Sequence, residues 1–411
     1  MSAIQFILLT VKNPSMSDIT NQKHEDLPLL KKILLAVACG ITVGNVYLCQ
    51  PLLDLIAKNM GVTESYAGMV PVGAQIGYAS GILLVLPLAD VVPTRRLLRA
   101  LLLLTTVFLL VAAFSPSLPV LIAASIALTA TTVVPQILIP VVASFVAPER
   151  RGRIIGTLQT GLILGILLSR TVSGSLAQWT ESWRSPYFLC AVLTSMLMLV
   201  VPGQLPEKKK TGQKGGYLSL LRSLVPLLQH KPLVLSMMLG FLVFGAFSAF
   251  WATLAFHLAS PAFGLGPAAA GLFGLYGAPG ALMAPFAGRL SDRLGTFAVN
   301  LLALLAVMLA FLIAGIGGMT FLIALIVAVN LLDFGLQSGQ IANQTRIFKL
   351  GDDIRARVNT LYMVATFSGG AIGSAIGAQA WSLAGWKGVC CVSIIMISLA
   401  TIILIINRKK N

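Results

Sequence analysis

Twelve apolar stretches dominate this chain, and each approaches the roughly 20 residues that a helix needs to cross a hydrocarbon core. They lie near 33–57, 66–89, 97–115, 119–146, 154–178, 186–202, 232–258, 267–287, 297–317, 320–346, 358–384 and 388–407. Inside lipid a backbone satisfies its own polar groups only as a helix or a closed barrel, and long unbroken runs exclude the short alternating strands of a barrel. The expected fold is therefore all-α, with twelve transmembrane helices. Composition agrees: 57% of residues are hydrophobic and 10% charged, against roughly 25% charged in a soluble domain.

The net charge of +16 would suit nucleic acid, but the placement of the charges points to a bilayer. All Lys and Arg except Lys58, Arg170, Arg184 and Lys387 fall in the tails or in alternate loops. That asymmetry is the positive-inside pattern, and it puts both termini and the basic loops in the cytoplasm. A bacterial inner-membrane, multi-pass, monomeric protein is expected, with no nucleic-acid partner. The short apolar stretch Ile4 to Val11 has no basic flank and cannot span, so residues 1–31 are expected to be a polar cytoplasmic tail and not a signal peptide. Cys39, Cys49, Cys190, Cys390 and Cys391 all lie in apolar spans, where they act as small hydrophobes. No metal site and no cofactor is expected.

The longest inner loop, 203–231, is rich in Lys, Gly and Gln. It is read as a linker between a six-helix bundle at 32–202 and a second at 232–411. An internal repeat supports the split. Glu149-x-Arg151-x-Arg153 before span 5 recurs as Asp353-x-Arg355-x-Arg357 before span 11, a shift of 204, and Trp183-Arg184 recurs as Trp386-Lys387, a shift of 203. Asp90 with Arg95 and Arg96, between spans 2 and 3, matches Gly288-Arg-Leu-Ser-Asp292-Arg293-Leu-Gly295 between spans 8 and 9. Many secondary transporters are built from such paired halves, with the site between them near the midplane.

The loop from Gly288 to Gly295, its degenerate partner at Asp90, the twelve spans and the basic central loop together resemble the major facilitator superfamily. The segment Asn45-Val-Tyr47-Leu-Cys-Gln50-Pro51 and the Gly- and Ser-rich span 5 look most like its bacterial twelve-helix drug:proton antiporter branch. The resemblance implies a transporter in which Asp90, Arg95, Arg96, Gly288, Asp292 and Arg293 hold the cytoplasmic side shut. The first loop departs from the pattern, with Leu86, Val91 and Pro93 where the family has Gly, Arg and Gly.

An ionisable group at bilayer depth is costly and marks a site by default. Asp333 is such a group, in a stripe with Asn330, Gln337, Gln340 and Gln344 whose 3,4,3,4 spacing puts all five on one face of span 10. The expectation is a cavity wall with Asp333 as proton carrier, since a buried carboxylate takes up a proton more readily than one in water. The competing reading is polar glue between helices. Arg170 in span 5 is the other charge at depth; it could be the counter-ion of Asp333, anchor an anionic substrate, or snorkel to the outer surface. Thr129, Thr132 and Gln136 on span 4, with Pro135 and Pro140 able to kink it, and Asn45 and Gln50 on span 1 are further cavity candidates. At the shift of 204 Thr129 matches Asp333. Phe247 and Trp251, from the aromatic stripe of span 7, would suit an amphipathic or aromatic substrate, or simply pack. Gly161, Gly165, Gly369 and Gly373 repeat every four residues; they are expected to form the sliding seam between the halves, or plain packing.

The function expected is proton-coupled export of a small organic molecule by alternating access, with uptake of a nutrient or siderophore as the alternative. The chain has no GxxxxGK[ST] loop for an ATP-driven pump. His24, His230 and His257 are too scattered for an intramembrane enzyme, so none is expected.

Overall fold

The computed structural model describes residues 28–205, 217–282 and 284–408, and every regular element among them is helical. Span 1 comprises Leu29–Tyr47 and Leu53–Met60, joined by a tight turn at Gln50–Leu52, where Pro51 has no N–H to continue an α-helix. Span 2 runs from Glu64–Ala67 through Met69–Ser80, widens at Gly81–Val85 just before Pro87, and ends at Leu88–Val91. Span 3 is Thr94–Ala113. Span 4 is Leu118–Thr131 and Val134–Ser144, interrupted at Thr132 and Val133 so that Pro135, which lacks a donor, falls in the first turn of the second piece. Spans 5, 6 and 7 are Pro148–Thr180, Ser185–Val200 and Lys231–Ala259.

Span 8 begins as Pro267–Tyr276, breaks at Gly277 and resumes at Ala278–Leu282. The run Ala284–Ile316 holds its end and all of span 9, with the turn at Gly295 (φ 81°, ψ 161°), a conformation that favours glycine. Span 10 is Leu322–Phe348. Arg355–Ile406 holds spans 11 and 12, divided at Ala384 and Gly385, the latter at φ 57°. Among the described residues ten helices qualify as membrane spans by length and composition. The expected twelve follow because span 8 is in pieces and one run contains two spans. Residues 1–27 of the expected tail and 206–216 of the expected linker lie outside the described residues. Gly288 and Asp292, expected at the gate, lie outside those whose side chains are described.

The glycine rows pack inside each half. A Cβ on Gly161 would strike the Ala36 carbonyl and one on Gly165 would strike Gly40, locking span 5 to span 1. Gly369 and Gly373 meet the backbones of Phe241 and Gly245 in the same way, locking span 11 to span 7. The expectation of a seam between the halves at these four glycines is therefore corrected. A four-residue spacing signals a close backbone approach but does not name the helix approached.

The halves meet through other small residues. Gly174 of span 5 lies on Pro267 of span 8, Gly271 lies on the Arg170 backbone, and Gly68 of span 2 lies on Ala378 of span 11. Three polar contacts accompany them: Thr171 Oγ1 donates to the Gly271 carbonyl at 3.1 Å, Ala268 N donates to Gln178 Oε1 at 3.0 Å, and Trp381 Nε1 donates to Glu64 Oε2 at 2.5 Å. All lie away from the basic loops. On the basic-loop side the halves stand apart around a vestibule of about 580 Å³. Part of the segment expected to be a linker lines it: Leu220 and Leu224 reach the vestibule, and the Tyr217 hydroxyl donates to the Leu84 carbonyl at 2.7 Å.

Candidate functional site

Arg170 lies one turn before the Gly174 contact, at the depth where the two halves close on each other. It is only 1% exposed. Its Nε donates to Gln50 Oε1 at 2.7 Å, and its guanidinium lies 3.8 Å from the Trp251 ring centre and 4.8 Å from that of Tyr47. Cation–π contacts of this kind hold a guanidinium without neutralising it. Snorkelling is thereby corrected: the side chain turns inward because a hydrogen-bond acceptor and two ring faces await it there. Nη2 has no hydrogen-bond partner in the protein.

Asp333 is 5% exposed. Its Oδ2 lies so close to the broken turn of span 8 that a Cβ on Gly277 would collide with it, and this oxygen also has no hydrogen-bond partner. Arg170 and Asp333 line one cavity of about 120 Å³, and no ion pair joins them among the described residues. Gln136, Gln159 and Gln340 line both this cavity and the vestibule, which connects the site to the basic-loop side.

The polar stripe of span 10 divides by depth. Asp333, Gln337 and Gln340 line the cavity, and Gln344 lines the vestibule while its Nε2 donates to Asn359 Oδ1 at 3.3 Å. Asn330 is corrected to a clamp. Its Oδ1 accepts from Gly280 N at 3.1 Å and its Nδ2 donates to the Tyr276 carbonyl at 2.7 Å. It thus binds backbone groups left free where span 8 breaks, which lipid could not satisfy.

Three other cavity candidates are also corrected. Asn45 Nδ2 donates to Thr132 Oγ1 at 3.4 Å, and that hydroxyl donates to the Thr42 carbonyl at 2.6 Å. Both tie span 1 to the broken turn of span 4. Thr129 bonds the Ser125 carbonyl of its own helix at 2.8 Å and lies against Gly77. Polar side chains between helices have to be satisfied locally, and short ones reach only the adjacent backbone. Gln136 does line the cavity, and its Nε2 donates to the Tyr78 hydroxyl at 3.3 Å.

The aromatic stripe also splits. Phe244 and Phe247 line the cavity and stack at 5.5 Å, whereas Phe250 packs on Trp386 and Phe311 at 5.3 and 6.3 Å. Sequence reasoning missed Tyr47, Tyr78, Phe367 and Gln159 as cavity residues. Gln159 had a signal: it precedes Arg170 by eleven residues, about three helical turns, and so shares its face. Phe367 had none, since its approach to Tyr78, 4.5 Å between ring centres, crosses the two halves.

At the expected gate, Asp90, Arg96 and Arg293 are exposed, and no ion pair among the described residues joins them. Arg95 Nε donates to the Leu205 carbonyl at 2.6 Å, bracing span 3 on the end of span 6. Arg346, grouped above with the basic loops, is instead buried; its Nη1 donates to Asn343 Oδ1 at 2.8 Å.

The family model of the Major Facilitator Superfamily matches residues 35–374. The chain is 38% identical over 373 residues to an "Uncharacterized transporter YgaY" of Escherichia coli O157:H7, a match covering 90% of this chain and 94% of that one. It is likewise 38% identical over 362 residues to a "Probable transporter SCO4007" of Streptomyces coelicolor, covering 88% and 83%. In three dimensions it resembles a point mutant of the nucleoside transporter NupG with a TM-score of 0.74 at 14% identity, over 92% of this chain and 98% of that one, a likeness of fold. Family, relatives and architecture converge: the chain is a multi-pass membrane transporter, not an enzyme, and belongs to the Major Facilitator Superfamily.

Proposed function

We propose that this transporter is secondary active and proton-coupled, moving a small organic molecule across the bacterial inner membrane by alternating access with Asp333 as proton carrier. The observation that carries this is a carboxylate sealed against Gly277, with an unpartnered oxygen, in a cavity that shares Gln136, Gln159 and Gln340 with the vestibule on the basic-loop side. Among the described residues, the only charge facing it in that cavity is Arg170. In this reading the monomer's two halves, 32–202 and 232–411, rock about the contacts of spans 5 and 8 and of spans 2 and 11, while 203–231 links them. The basic loops and both termini are cytoplasmic, so the open vestibule faces inward.

Export in exchange for protons is the direction that the antiporter resemblance implies. Uptake is the alternative on the same cavity, and it is favoured by the unpartnered Arg170 Nη2. Exchange requires proton and substrate to compete for the site; uptake with protons requires them to bind together. Flux into proteoliposomes under an imposed pH gradient tests the coupling. Wild-type protein should concentrate substrate and Asp333→Asn should not, while keeping exchange without a gradient. Full gradient-driven flux by well-inserted Asp333→Asn protein would remove Asp333 from the role.

A further inference from the structure

We infer that the substrate is an amphipathic organic anion whose acid group sits on Arg170 and whose apolar body lies along the aromatic wall, so that proton and substrate bind together. The inference rests on Asp333 being the proton carrier and selects between the two directions of that reading: co-binding means uptake with protons.

Three observations lead there. Arg170 carries an unpartnered Nη2 although it is more than nine-tenths buried and is contacted by Gln50, Trp251 and Tyr47. A buried guanidinium donor without an acceptor is costly, and a planar, preoriented guanidinium matches a carboxylate or phosphate. Beside it, Phe244, Phe247 and Phe367 form a continuous apolar wall, with Phe367 5.0 Å from Phe244.

The third observation is the charge balance. The titratable and charged groups facing the cavity are Tyr47 from span 1, Tyr78 from span 2, Arg170 from span 5 and Asp333 from span 10. Spans 4, 7 and 11 contribute glutamine, apolar side chains and the Thr366 hydroxyl, and span 8 meets Asp333 with Gly277. Both tyrosines are neutral near pH 7. The empty site therefore holds one positive and one negative charge. An anion added to it leaves a net negative charge in a poorly solvated space, and a proton on Asp333 restores neutrality. A cation would sit beside a guanidinium that does not release its proton. Linkage is reciprocal, so a proton that aids the anion is itself aided by the anion.

The test uses the purified full-length chain and three probes of one shape: 3-phenylpropionate, 3-phenylpropionamide and 3-phenylpropylamine. Binding is read from tryptophan fluorescence, since Trp251 touches the guanidinium, and flux from labelled probe in proteoliposomes. The acid should bind at least about tenfold more tightly than amide or amine, and about tenfold more tightly at pH 5.5 than at pH 8, within the usual range of coupling between sites. Asp333→Asn should bind the acid well at both pH values. Arg170→Gln should lose binding, and Arg170→Lys, which keeps a charge for folding, should weaken it about tenfold. An inward proton gradient should drive uptake of the acid.

Equal or tighter binding of the amine or amide overturns the inference, and gradient-driven flux of those probes would leave Asp333 as proton carrier. No binding of the acid overturns it as well. Acid binding that depends on Arg170 but ignores pH in the wild type overturns the co-binding and, with it, the proton role of Asp333.

Discussion

The two halves repeat their backbone contacts closely, and the charges of their shared cavity not at all. Gly165 on Gly40 in the first half matches Gly369 on Phe241 in the second, at shifts of 204 for spans 5 and 11 and 201 for spans 1 and 7. Across the interface, Gly174 with Gly271 matches Ala378 with Gly68. Yet the counterpart of Asp333 is Thr129, and that of Arg170 is Ser374. Gln50 and Trp251, equivalent at 201, converge on the same guanidinium, one by a hydrogen bond and one by its ring face. Small residues at close contacts keep a duplicated scaffold in register, whereas a central cavity shared by both halves needs each charge only once.

The comparison is tested most severely by exchanging equivalent positions. Asp333→Asn should reduce proton-driven flux by at least about a thousandfold, or roughly 4 kcal/mol, while Thr129→Val, which removes a hydroxyl that hydrogen-bonds its own helix and lies against Gly77, should stay within about twofold. Proteoliposome flux under a pH gradient measures both. Comparable losses would mean that the halves share the chemistry as well as the scaffold.

Next in size are the packing glycines. Gly165→Leu and Gly373→Leu should each cost at least about 3 kcal/mol by driving a side chain into backbone, seen as lower thermal stability in detergent. Gly152→Leu, with open space around its Cβ position, should be silent. A stable but inactive Gly373→Leu protein would return these glycines to the moving seam. That seam is better probed by Gly174→Leu, which should fold yet fail to close the face opposite the basic loops.

A smaller effect is expected at the polar closure on that face. Removing the hydrogen bond to Glu64 by Trp381→Phe should shift the opening equilibrium by about 1.5–3 kcal/mol. The equivalent bond of Gln178 is to a neutral backbone N–H, so Gln178→Ala should shift it by about 1 kcal/mol. Accessibility of single cysteines from the opposite face, with the five native cysteines replaced, reads both. The smallest change is expected for Asp292→Asn, which should raise labelling from the basic-loop side. Unchanged labelling would make that loop ordinary surface.

Much of the site was legible in sequence as chemistry and little of it as geometry. Asp333, Gln337, Gln340 and Arg170 stood out because charge and amide groups are rare at bilayer depth. Asn330 shared their stripe and their chemistry but turned out to clamp span 8. Its role depends on the break at Gly277, which no residue of span 10 reveals. Thr129, Thr132 and Asn45 misled for a related reason: a short polar side chain finds a partner one turn away, as Thr129 does at Ser125, or on the helix packed against it, as Asn45 and Thr132 do, so polarity alone does not imply a cavity.

The sequence by itself determined the class and organisation of this protein. Apolar length and loop charge follow from the cost of placing backbone and charge in hydrocarbon, which acts residue by residue along the chain, and the shift of 204 is a repeat visible in the residues themselves. Which helix each glycine row meets, which polar groups face the cavity, and that Arg170 is gripped by Gln50 and Trp251 from opposite halves were decided only by tertiary structure. Such contacts join residues far apart in the chain, Arg170 and Gln50 by 120 positions, and the periodicity of a helix specifies a face but never the neighbour that the face will meet.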